Sequence, residues 1–551
     1  MFNKKQKLGK FLFDYIHKQG LDHAFGIPGD FVLPTFRYLE QSPIEIITLT
    51  HEPSVGFAAD CYARSTGLGL AIVTYCVGGL NMLNSIACAY AEKSPVIVIS
   101  GGPSPKDRHK DPMMHHKVRT FDTQRRIYEE VTCANTILLD PETAASEIVR
   151  VVEEVKKHKR PGYIEVPFDM ADIEIPLPDN LYKKKPETIS DKEILETCVN
   201  EIVNKVNNAQ KPVILAGEEL HRFGLTDLVA NFAKKHNIPI AATLMGKSVI
   251  REVNPLYIGI YSGVFSEPIC KEYIDSSDCV VIIGAIISDV LLGFLSERFD
   301  RKRTIILNME QIQIGMHNYE DVLLKDILAA ITEAQINKRP EFNNPNKPKL
   351  YQPLPKNAYS QSINVESMFA ILSTQLPEGS AIVCDTGDAL MGAISLRTDK
   401  RSHFFADAYY LSMGFAVPGA IGAIYANQTS KVYAIVGDGA FQMTGIELST
   451  IAKYSLSLVV ILINNDGYGT QRHILDGEFN NIRMWDYTKI CQLLCYGKAV
   501  KVTTKGELEQ ALTEASTYTG LYFIEVIVPR DDCSPTLRRM GEALKEVRNP
   551  S

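Results

Sequence analysis

The sequence predicts an α/β protein made of three doubly wound domains, each with a parallel sheet that helices cover on both faces. Short apolar runs rich in β-branched residues alternate with longer helix-like segments along the chain. Strands that are apolar on both faces are typical of parallel sheets buried between two helix layers. Two stretches rich in Pro, Lys and Asn, at 176–190 and 337–357, interrupt the alternation and are interpreted as linkers.

The alternation occurs in three segments, which set the predicted domain boundaries at 1–180, 190–340 and 360–551. The runs that predict strands are IEIITLT, LAIVTYC and PVIVISG in the first segment, PVILAG, CVVIIGA and TIILNM in the second, and SAIVCD, KVYAIVG and LVVILINN in the third. The start of the chain, MFNKKQKLGKFLFDYIHKQG, is amphipathic, and we interpret it as the first helix of a domain rather than as a signal peptide.

Composition narrows the class of protein. The 551 residues are enough for several domains, and no stretch approaches the roughly 20 apolar residues that a membrane-spanning helix needs. The 11 cysteines include no CxxC pair, which favours reduced thiols, and the sequence predicts a cytoplasmic protein. A net charge of −7 without a basic stripe argues against nucleic-acid binding. Chemistry on a small molecule is therefore the expectation.

Two polar clusters follow predicted strands of the C-terminal segment. The strand KVYAIVG ends in GDG at 437–439, and the strand LVVILINN ends in NNDG at 464–467. Both clusters are expected at the carboxyl edge of a parallel sheet, where such folds bind ligands. Glycines let backbone amides approach a phosphate, and Asp438 with Asn465 can supply hard oxygens to a Mg²⁺. The alternative is a pair of ordinary turns, but the pairing of the two motifs favours a diphosphate and metal site.

GDG followed about 25 residues later by NN resembles the signature of thiamine diphosphate enzymes. The resemblance extends over nearly the whole chain to the pyruvate/indolepyruvate/phenylpyruvate decarboxylase family. It implies a pyrimidine-binding N-terminal domain, a Rossmann-like middle domain and a diphosphate-binding C-terminal domain. It also implies that Asp438, Asn465 and the carbonyl of Gly467 hold Mg²⁺, and that the cofactor is thiamine diphosphate.

A carboxylate in the first segment is the candidate for activating this cofactor. Residues 51–64, HEPSVGFAADCYAR, resemble a family segment that contains the glutamate which protonates the pyrimidine. That glutamate corresponds to Glu52 here. A glutamate that merely favours a helix start is the alternative. In the family, the positions of Glu52 and Asp438 meet across a subunit interface. The resemblance therefore implies a homodimer or homotetramer with the active site between subunits.

Two more segments of the first domain carry candidate catalytic residues. FGIPGD at 25–30 resembles a family turn and contributes Asp30, and its Pro28 is a candidate cofactor contact. PMMHHK at 112–117 resembles the family's histidine pair, here His115 and His116. Histidines beside a carboxylate can move a proton to the carbon that CO₂ leaves. Neighbouring histidines in a solvated loop are the alternative interpretation.

The remaining cofactor contacts are implied by three segments of the C-terminal domain. In LSMGFAVPG at 411–419, Met413 matches a bulky residue wedged between the cofactor rings, although a buried gap-filling methionine is the alternative. CDTGDALM at 384–391 resembles the loop that contacts the pyrimidine and the diphosphate. The further predicted contacts are Thr386, Gly387, Asp388, Leu411, Gly437, Gly439, Ala440 and Gly469.

The predicted reaction is the non-oxidative decarboxylation of a 2-keto acid. Yeast-type pyruvate decarboxylases have NNDGYTIE where this chain has NNDGYGTQ, so Gln471 replaces a glutamate, and glutamine cannot donate a proton as an acid. The resemblance favours bacterial phenylpyruvate decarboxylases and an aryl substrate, phenylpyruvate or indole-3-pyruvate, with Thr470, Gln471 and His473 near it.

Alternatives stay open at this point. The substrate could be pyruvate or a branched keto acid, and the chain could be an acetolactate synthase-like carboligase or a non-catalytic thiamine diphosphate-binding protein. No G-x-G-x-x-G follows a predicted strand of the middle segment, so no bound dinucleotide is expected there.

Overall fold

Three large sheets organise the chain, and each belongs to one stretch of the sequence. The computed structural model describes residues 5–178, 189–293, 299–346, 354–397 and 403–548. Parts of both predicted linkers, 179–188 and 347–353, lie outside the described residues.

The N-terminal part carries a parallel sheet whose strand order within the described residues is β3-β2-β4-β5-β7-β6. A separate antiparallel pair joins β1 to β8. Its strands are β1 (Lys5–Lys7), β2 (His23–Gly26), β3 (Glu45–Thr48), β4 (Gly69–Val73), β5 (Val96–Gly102), β6 (Ala134–Ile137), β7 (Gly162–Pro167) and β8 (Glu174–Pro176). Its helices are α1 (Leu8–Lys18), α2 (Leu33–Glu40), α3 (Glu52–Thr66), α4 (Val77–Ala91), α5 (Pro105–Lys110), α6 (Thr123–Tyr128) and α7 (Pro141–His158).

Apolar periodicity explains these elements. Every residue of β4 and β5 is buried, as expected for strands covered on both faces. Helix α7 begins at an Asp140 side chain that accepts the backbone N–H of Glu142, and it ends at Lys159 in the left-handed conformation. Between these caps, one apolar face that includes Ile148 and Val152 packs against the sheet while the opposite face stays polar.

The middle part carries the sheet β11-β10-β9-β12-β13-β14-β15. Its strands are β9 (Pro212–Ala216), β10 (Ile240–Thr243), β11 (Tyr257–Tyr261), β12 (Cys279–Ile283), β13 (Thr304–Leu307), β14 (Ile312–Ile314) and β15 (His317–Tyr319). Its helices are α8 (Lys192–Asn208), α9 (Glu219–Arg222), α10 (Thr226–His236), α11 (Pro268–Asp275) and α12 (Leu324–Glu333).

One edge of the middle sheet differs from the prediction of a purely parallel sheet. The strands β9 to β13 pair in parallel, but β14 and β15 are added antiparallel. The connection between β14 and β15 is the pair Gly315-Met316, and Gly315 has a φ of 58°, which suits a tight hairpin turn. Strands of three residues are too short for the apolar alternation to reveal.

The C-terminal part carries the parallel sheet β17-β16-β18-β19-β21-β20, so the predicted fold class is confirmed. Its strands are β16 (Ala381–Cys384), β17 (His403–Ala406), β18 (Val432–Gly437), β19 (Leu458–Asn464), β20 (Lys498–Val502) and β21 (Leu521–Ile527). Its helices are α13 (Val365–Gln375), α14 (Asp388–Ala393), α15 (Ala416–Ala426), α16 (Asp438–Thr444), α17 (Leu448–Lys453), α18 (Gly469–Ile474), α19 (Ile490–Leu493), α20 (Lys505–Thr517) and α21 (Pro535–Arg548). Short 3₁₀ helices lie at Glu129–Val131, Met170–Asp172, Arg301–Arg303, Lys356–Ala358, Gly445–Glu447, Glu478–Asn480 and Tyr487–Lys489.

Helices α3 and α15 join the N-terminal and C-terminal parts. A Cβ at Gly422 of α15 would lie 2.1 Å from the carbonyl oxygen of Ala58 in α3, so the close approach requires glycine at this position. Near the end of α3, the buried guanidinium of Arg64 bonds the carboxylates of Asp60 and Glu92 and the carbonyl of Ala406. No helix in the described ranges combines the length and the apolar character that crossing a membrane requires.

Candidate active site

A cavity of about 250 Å³ opens at the carboxyl ends of strands β16, β18 and β19. This is the sheet edge at which the sequence predicts the diphosphate and metal site. Its lining combines backbone of glycine-rich turns with apolar side chains. The lining residues are Thr386, Gly387, Asp388, Ala389, Met391, Leu411, Met413, Gly437, Asp438, Gly439, Ala440, Ile463, Asn465, Gly467, Tyr468, Gly469, Thr470, Gln471, Ile474 and Met540.

Asp438 connects the two glycine-rich turns. Its carboxylate accepts the N–H of Gly439 at 2.8 Å and the N–H of Gly467 at 3.0 Å, so the ends of β18 and β19 meet at one side chain. Burial raises the pKa of Asp438 to about 6, although the backbone N–H groups that it accepts act in the opposite direction. A buried carboxylate at a ligand-binding edge is a strong centre for attracting a cation.

Asn465 lies beside Asp438 on the second turn and is also buried. A Cβ at Gly469 would lie 2.1 Å from the side-chain nitrogen of Asn465, so a larger residue there would displace this side chain. Gly467 has a φ of 130°, which again requires glycine. The turn therefore brings Asp438, Asn465 and Gly467 together, the three positions for which the sequence predicts metal ligands.

The Thr386-Gly387-Asp388 segment forms another part of the cavity lining. Gly387 has a φ of 83°, a conformation that glycine adopts readily. Asp388 is buried and accepts hydrogen bonds from the N–H and the hydroxyl of Ser534, and burial raises its pKa to about 6 despite these bonds. The carboxylate oxygens of Asp388 are thus already hydrogen-bonded within the protein.

Glu52 begins helix α3, in the N-terminal part. The side-chain N–H of Asn81, on α4, donates to a carboxylate oxygen of Glu52 at 2.7 Å. Glu52 is partly exposed and does not line the cavity of its own chain.

Asp30, His115 and His116 form a second cluster in the N-terminal part. Nε2 of His115 lies 2.5 Å from a carboxylate oxygen of Asp30, and the His115 ring stacks on Phe31 with 4.9 Å between ring centroids. Desolvation raises the pKa of Asp30, but the hydrogen bond with His115 and the backbone N–H of Phe31 outweigh it, so the net pKa is below its usual range.

The structure thus divides the predicted site residues into two groups. The cofactor and metal candidates of the C-terminal domain, with Thr470 and Gln471, line one cavity. Among the described residues, those predicted for the site that do not line it are Pro28, Asp30, Glu52, His115, His116 and His473. His473 lies on α18 with Thr470 and Gln471, and its Cβ is 3.5 Å from the Cβ position of Gly541 in α21.

Several cavity residues were not predicted from the sequence. Met391 follows Asp388 by one turn of α14, so the helix period could have revealed it. Tyr468 and Ile474 lie within or next to the predicted motif. Met540 comes from the C-terminal helix α21, and no local pattern indicates that this helix reaches the cavity.

Comparison with known protein families decides the interpretation of this geometry. Three models match the chain in order: the N-terminal TPP binding domain of thiamine pyrophosphate enzymes over residues 6–124, the central domain over 199–333, and the C-terminal TPP binding domain over 385–526. The chain belongs to the thiamine pyrophosphate enzyme family. Thiamine pyrophosphate is thiamine diphosphate, so the predicted cofactor is confirmed.

Curated relatives narrow the family further. An indole-3-pyruvate decarboxylase of Azospirillum brasilense is 34% identical over 98% of this chain and 99% of its own length. A pyruvate decarboxylase of Arabidopsis thaliana is 30% identical over 97% of the chain and 90% of its own length, and one of Zea mays is similar to the same extent. The chain is thus a member of the thiamine diphosphate-dependent 2-keto acid decarboxylases, as its motifs predict.

Proposed function

We propose that the protein converts an aryl 2-keto acid, phenylpyruvate or indole-3-pyruvate, to the aldehyde and CO₂ with thiamine diphosphate and Mg²⁺. The observation that carries the proposal is the mixed lining of the cavity. Asp438 and Asn465 provide polar ligands, while Met391, Ile474 and Met540 provide an apolar wall. The name of the Azospirillum brasilense relative, an indole-3-pyruvate decarboxylase, supports an aryl substrate.

The polar part of the cavity fits a diphosphate with its metal ion. The carboxylate of Asp438, the side-chain oxygen of Asn465 and the carbonyl of Gly467 are hard oxygen donors of the kind that Mg²⁺ prefers. A Cβ at Gly439 would lie 2.6 Å from the Tyr468 ring, so glycine is needed for the two turns to approach. Thiamine diphosphate, when bound, supplies the electron sink into which the breaking carbon–carbon bond releases its electrons.

Glu52 is the proposed acid that activates the cofactor, and we propose that it acts on the cofactor of a second subunit. Glu52 and its partner Asn81 lie on a face with exposed apolar groups: Val77 of α4 is 53% exposed, and Tyr410, linked to Asn84 of α4, is 41% exposed. A second copy of the chain covers this face in the proposed homodimer or homotetramer.

Asp30, His115 and His116 are proposed to deliver the proton that the product carbon needs. The lowered pKa of Asp30 keeps its carboxylate ionised at neutral pH, so this carboxylate can accept a hydrogen bond from Nε2 of His115 when that nitrogen carries a proton. Nδ1 of His116 is buried, and none of the described residues accepts from or donates to it. Because this nitrogen is shielded, the exposed side chain of His115 is the one of the two histidines that a substrate group can reach.

The apolar lining favours an aryl side chain over a methyl group. Burial of an aromatic ring against Met391, Ile474 and Met540 stabilises binding in proportion to the apolar area removed from water. Gln471 can hydrogen-bond to the substrate but cannot protonate it. With Thr470, it is proposed to orient the keto acid, and His473 is proposed to lie near the substrate as well.

The test is aldehyde formation by the purified protein with thiamine diphosphate and Mg²⁺. We expect specificity constants for phenylpyruvate and indole-3-pyruvate about tenfold or more above those for pyruvate and branched keto acids. Chelation of Mg²⁺ should abolish turnover, and added Mg²⁺ should restore it. E52Q, assayed with the cofactor bound, gives the rate of decarboxylation that remains without the proposed activating acid.

Other outcomes identify which step of the proposal is wrong. A preference for pyruvate would keep the decarboxylase and contradict the aryl substrate. An acyloin or acetolactate product would indicate a carboligase. Tight cofactor binding with no CO₂ from any keto acid would indicate a non-catalytic binding protein.

A further inference from the structure

Residues 407–415 form a loop whose backbone conformation needs support. Leu411 has a φ of 60°, which is unfavourable for a residue with a side chain, and Gly414 has a φ of 92°. Leu411 and Met413 nevertheless both line the cavity. Disfavoured backbone conformations persist at functional sites only where the surroundings hold them in several places.

A buried carboxylate holds the first half of this loop. Asp407 is fully buried, and its two carboxylate oxygens accept the N–H of Leu411 at 2.8 Å and the N–H of Ser412 at 2.5 Å. These bonds fix the backbone immediately before Met413.

A second buried carboxylate holds the other half. Asp385 is also fully buried, and its oxygens accept the N–H of Gly414 at 3.0 Å and the N–H of Ala416 at 2.8 Å. One of these oxygens also accepts the N–H of Thr386 at 3.1 Å. Since Thr386 and Met413 both line the cavity, one side chain joins two separate parts of its wall.

The same loop is also bonded to helix α16, which begins at Asp438. The hydroxyl of Thr444, at the end of α16, donates to the carbonyl of Gly414 at 2.8 Å. A Cβ at Gly414 would lie 2.9 Å from Cγ2 of Thr444, so the contact is close as well as polar. Met413 therefore lies between backbone groups that are held on both sides.

We propose that Asp385 is a positioning residue for the decarboxylation, which sets the place of Met413 and Thr386 against the bound cofactor. This role rests on the proposed function, because it takes the cavity as the cofactor site. Both carboxylate oxygens are used as acceptors. An asparagine at this position would keep the shape but turn an N–H₂ group toward a backbone N–H, which would push the loop away from its place.

The test compares D385N with D278N. Asp278 also accepts two backbone N–H groups, from Gln210 at 2.7 Å and Lys211 at 2.8 Å, but it lies in the middle domain and does not line the cavity. The readouts are the dissociation constant of thiamine diphosphate with Mg²⁺, the near-ultraviolet circular dichroism of the bound cofactor, and kcat and KM measured separately.

We expect D385N to weaken cofactor binding about tenfold or more, to change the circular dichroism of the cofactor and to lower kcat up to about 10²-fold with little change in KM. D278N should match the wild type in all of these. Wild-type cofactor affinity, dichroism and kcat in D385N would overturn the positioning role while the proposed function stands.

A second variant covers the case in which D385N does not fold. T444V keeps the side-chain shape and removes the hydroxyl that donates to Gly414, and it should alter cofactor dichroism and kcat in the same direction by a smaller factor. Wild-type values in T444V would then overturn the role. Absence of cofactor binding in the wild-type protein itself would overturn the proposed function from which the role derives.

Discussion

Nε2 of His115 lies 2.5 Å from a carboxylate oxygen of Asp30, although the two residues are 85 positions apart. Asp30 follows strand β2 and His115 follows strand β5, and both strands end at the same edge of the N-terminal parallel sheet. The two side chains are 60% and 53% exposed for His115 and Asp30. The pair is therefore held in place by the fold and is open to a bound ligand.

Replacing Asp30 by asparagine should lower kcat roughly 10²-fold, since general acid–base catalysis contributes about this much. The matched control is E201Q, because Glu201 forms a similar exposed pair with His317 in the middle domain, at 2.9 Å. Steady-state assays of both variants check this expectation. A loss of the same size in E201Q would mean that the effect is general and not catalytic.

The lowered pKa of Asp30 predicts the direction in which stability and kcat/KM change with pH. A carboxyl group whose pKa is depressed by folding contributes stability above its unfolded pKa, and this contribution is lost as pH falls through the folded pKa. H115Q removes the imidazole that hydrogen-bonds to Asp30, so the pKa of Asp30 should rise. The acid limb of kcat/KM should then move to higher pH, while H317Q should leave the limb unmoved.

Asn81 should affect kcat only through its hydrogen bond to Glu52. The N81A variant removes the donor that holds the Glu52 carboxylate at 2.7 Å, so we expect a fall in kcat of about tenfold with the cofactor still bound. The combined variant N81A/E52Q should be no slower than E52Q. An additional loss in the double variant, measured by steady-state kinetics, would show that Asn81 acts on something other than Glu52.

Much of the candidate site was predictable because its residues lie in turns that follow strands. The GDG and NNDG turns come directly after buried strands, and parallel pairing of β18 with β19 must bring them to one edge. The two metal candidates Asp438 and Asn465 are therefore predictable from local sequence and sheet direction alone. The assignment of Glu52, by contrast, depends on resemblance, since nothing in the spacing relates it to Asp438.

The residues that the sequence did not reveal act over long distances or through backbone groups. Asp385 and Asp407 accept hydrogen bonds from backbone N–H groups between residues 411 and 416, and such bonds leave no trace in side-chain patterns. Met540 reaches the cavity because α21 packs against α14 and α18, a tertiary contact without a local signal. The antiparallel strands β14 and β15 were missed because three residues carry too little periodicity.

Removing Arg64 should lower the stability of the protein. Its side chain is buried with those of Asp60 and Glu92, so R64A leaves two buried carboxylates without their cation, which costs about 3–5 kcal/mol in the free energy of unfolding. R37A is the control, because Arg37 and its partner Asp172 are both about half exposed and should matter little. Calorimetric melting of the two variants checks this prediction, and equal melting temperatures would contradict it.

Replacing Gln471 by glutamate should weaken substrate binding. In Q471E, the new carboxylate would face the carboxylate of the keto acid inside the cavity, so kcat/KM should fall as pH rises through the pKa of the introduced group. Q361E is the control, since Gln361 does not line the cavity and accepts from Lys505 at 2.8 Å. Parallel pH profiles of Q471E and the wild type would mean that position 471 does not meet the substrate.

The proposed sharing of the active site between subunits can be tested with two inactive variants. E52Q and D438N should each be inactive alone, because one lacks the activating acid and the other lacks the metal ligand. If Glu52 serves the cofactor of the partner subunit, a mixed dimer pairs an intact Asp438 with an intact Glu52 in one of its two sites. Random exchange of subunits makes half of the dimers mixed, so about a quarter of wild-type activity should return.

The alternative gives a different number. If Glu52 acted within its own chain, every site of a mixed dimer would carry one defect and no activity would return. The assay is steady-state aldehyde formation after the two variants are unfolded and refolded together, with each refolded alone as the control. Mass measurement by light scattering verifies that the refolded protein is oligomeric, because recovery requires a dimer. A monomer with full wild-type activity would contradict both the shared site and the subunit role of the exposed face around Val77.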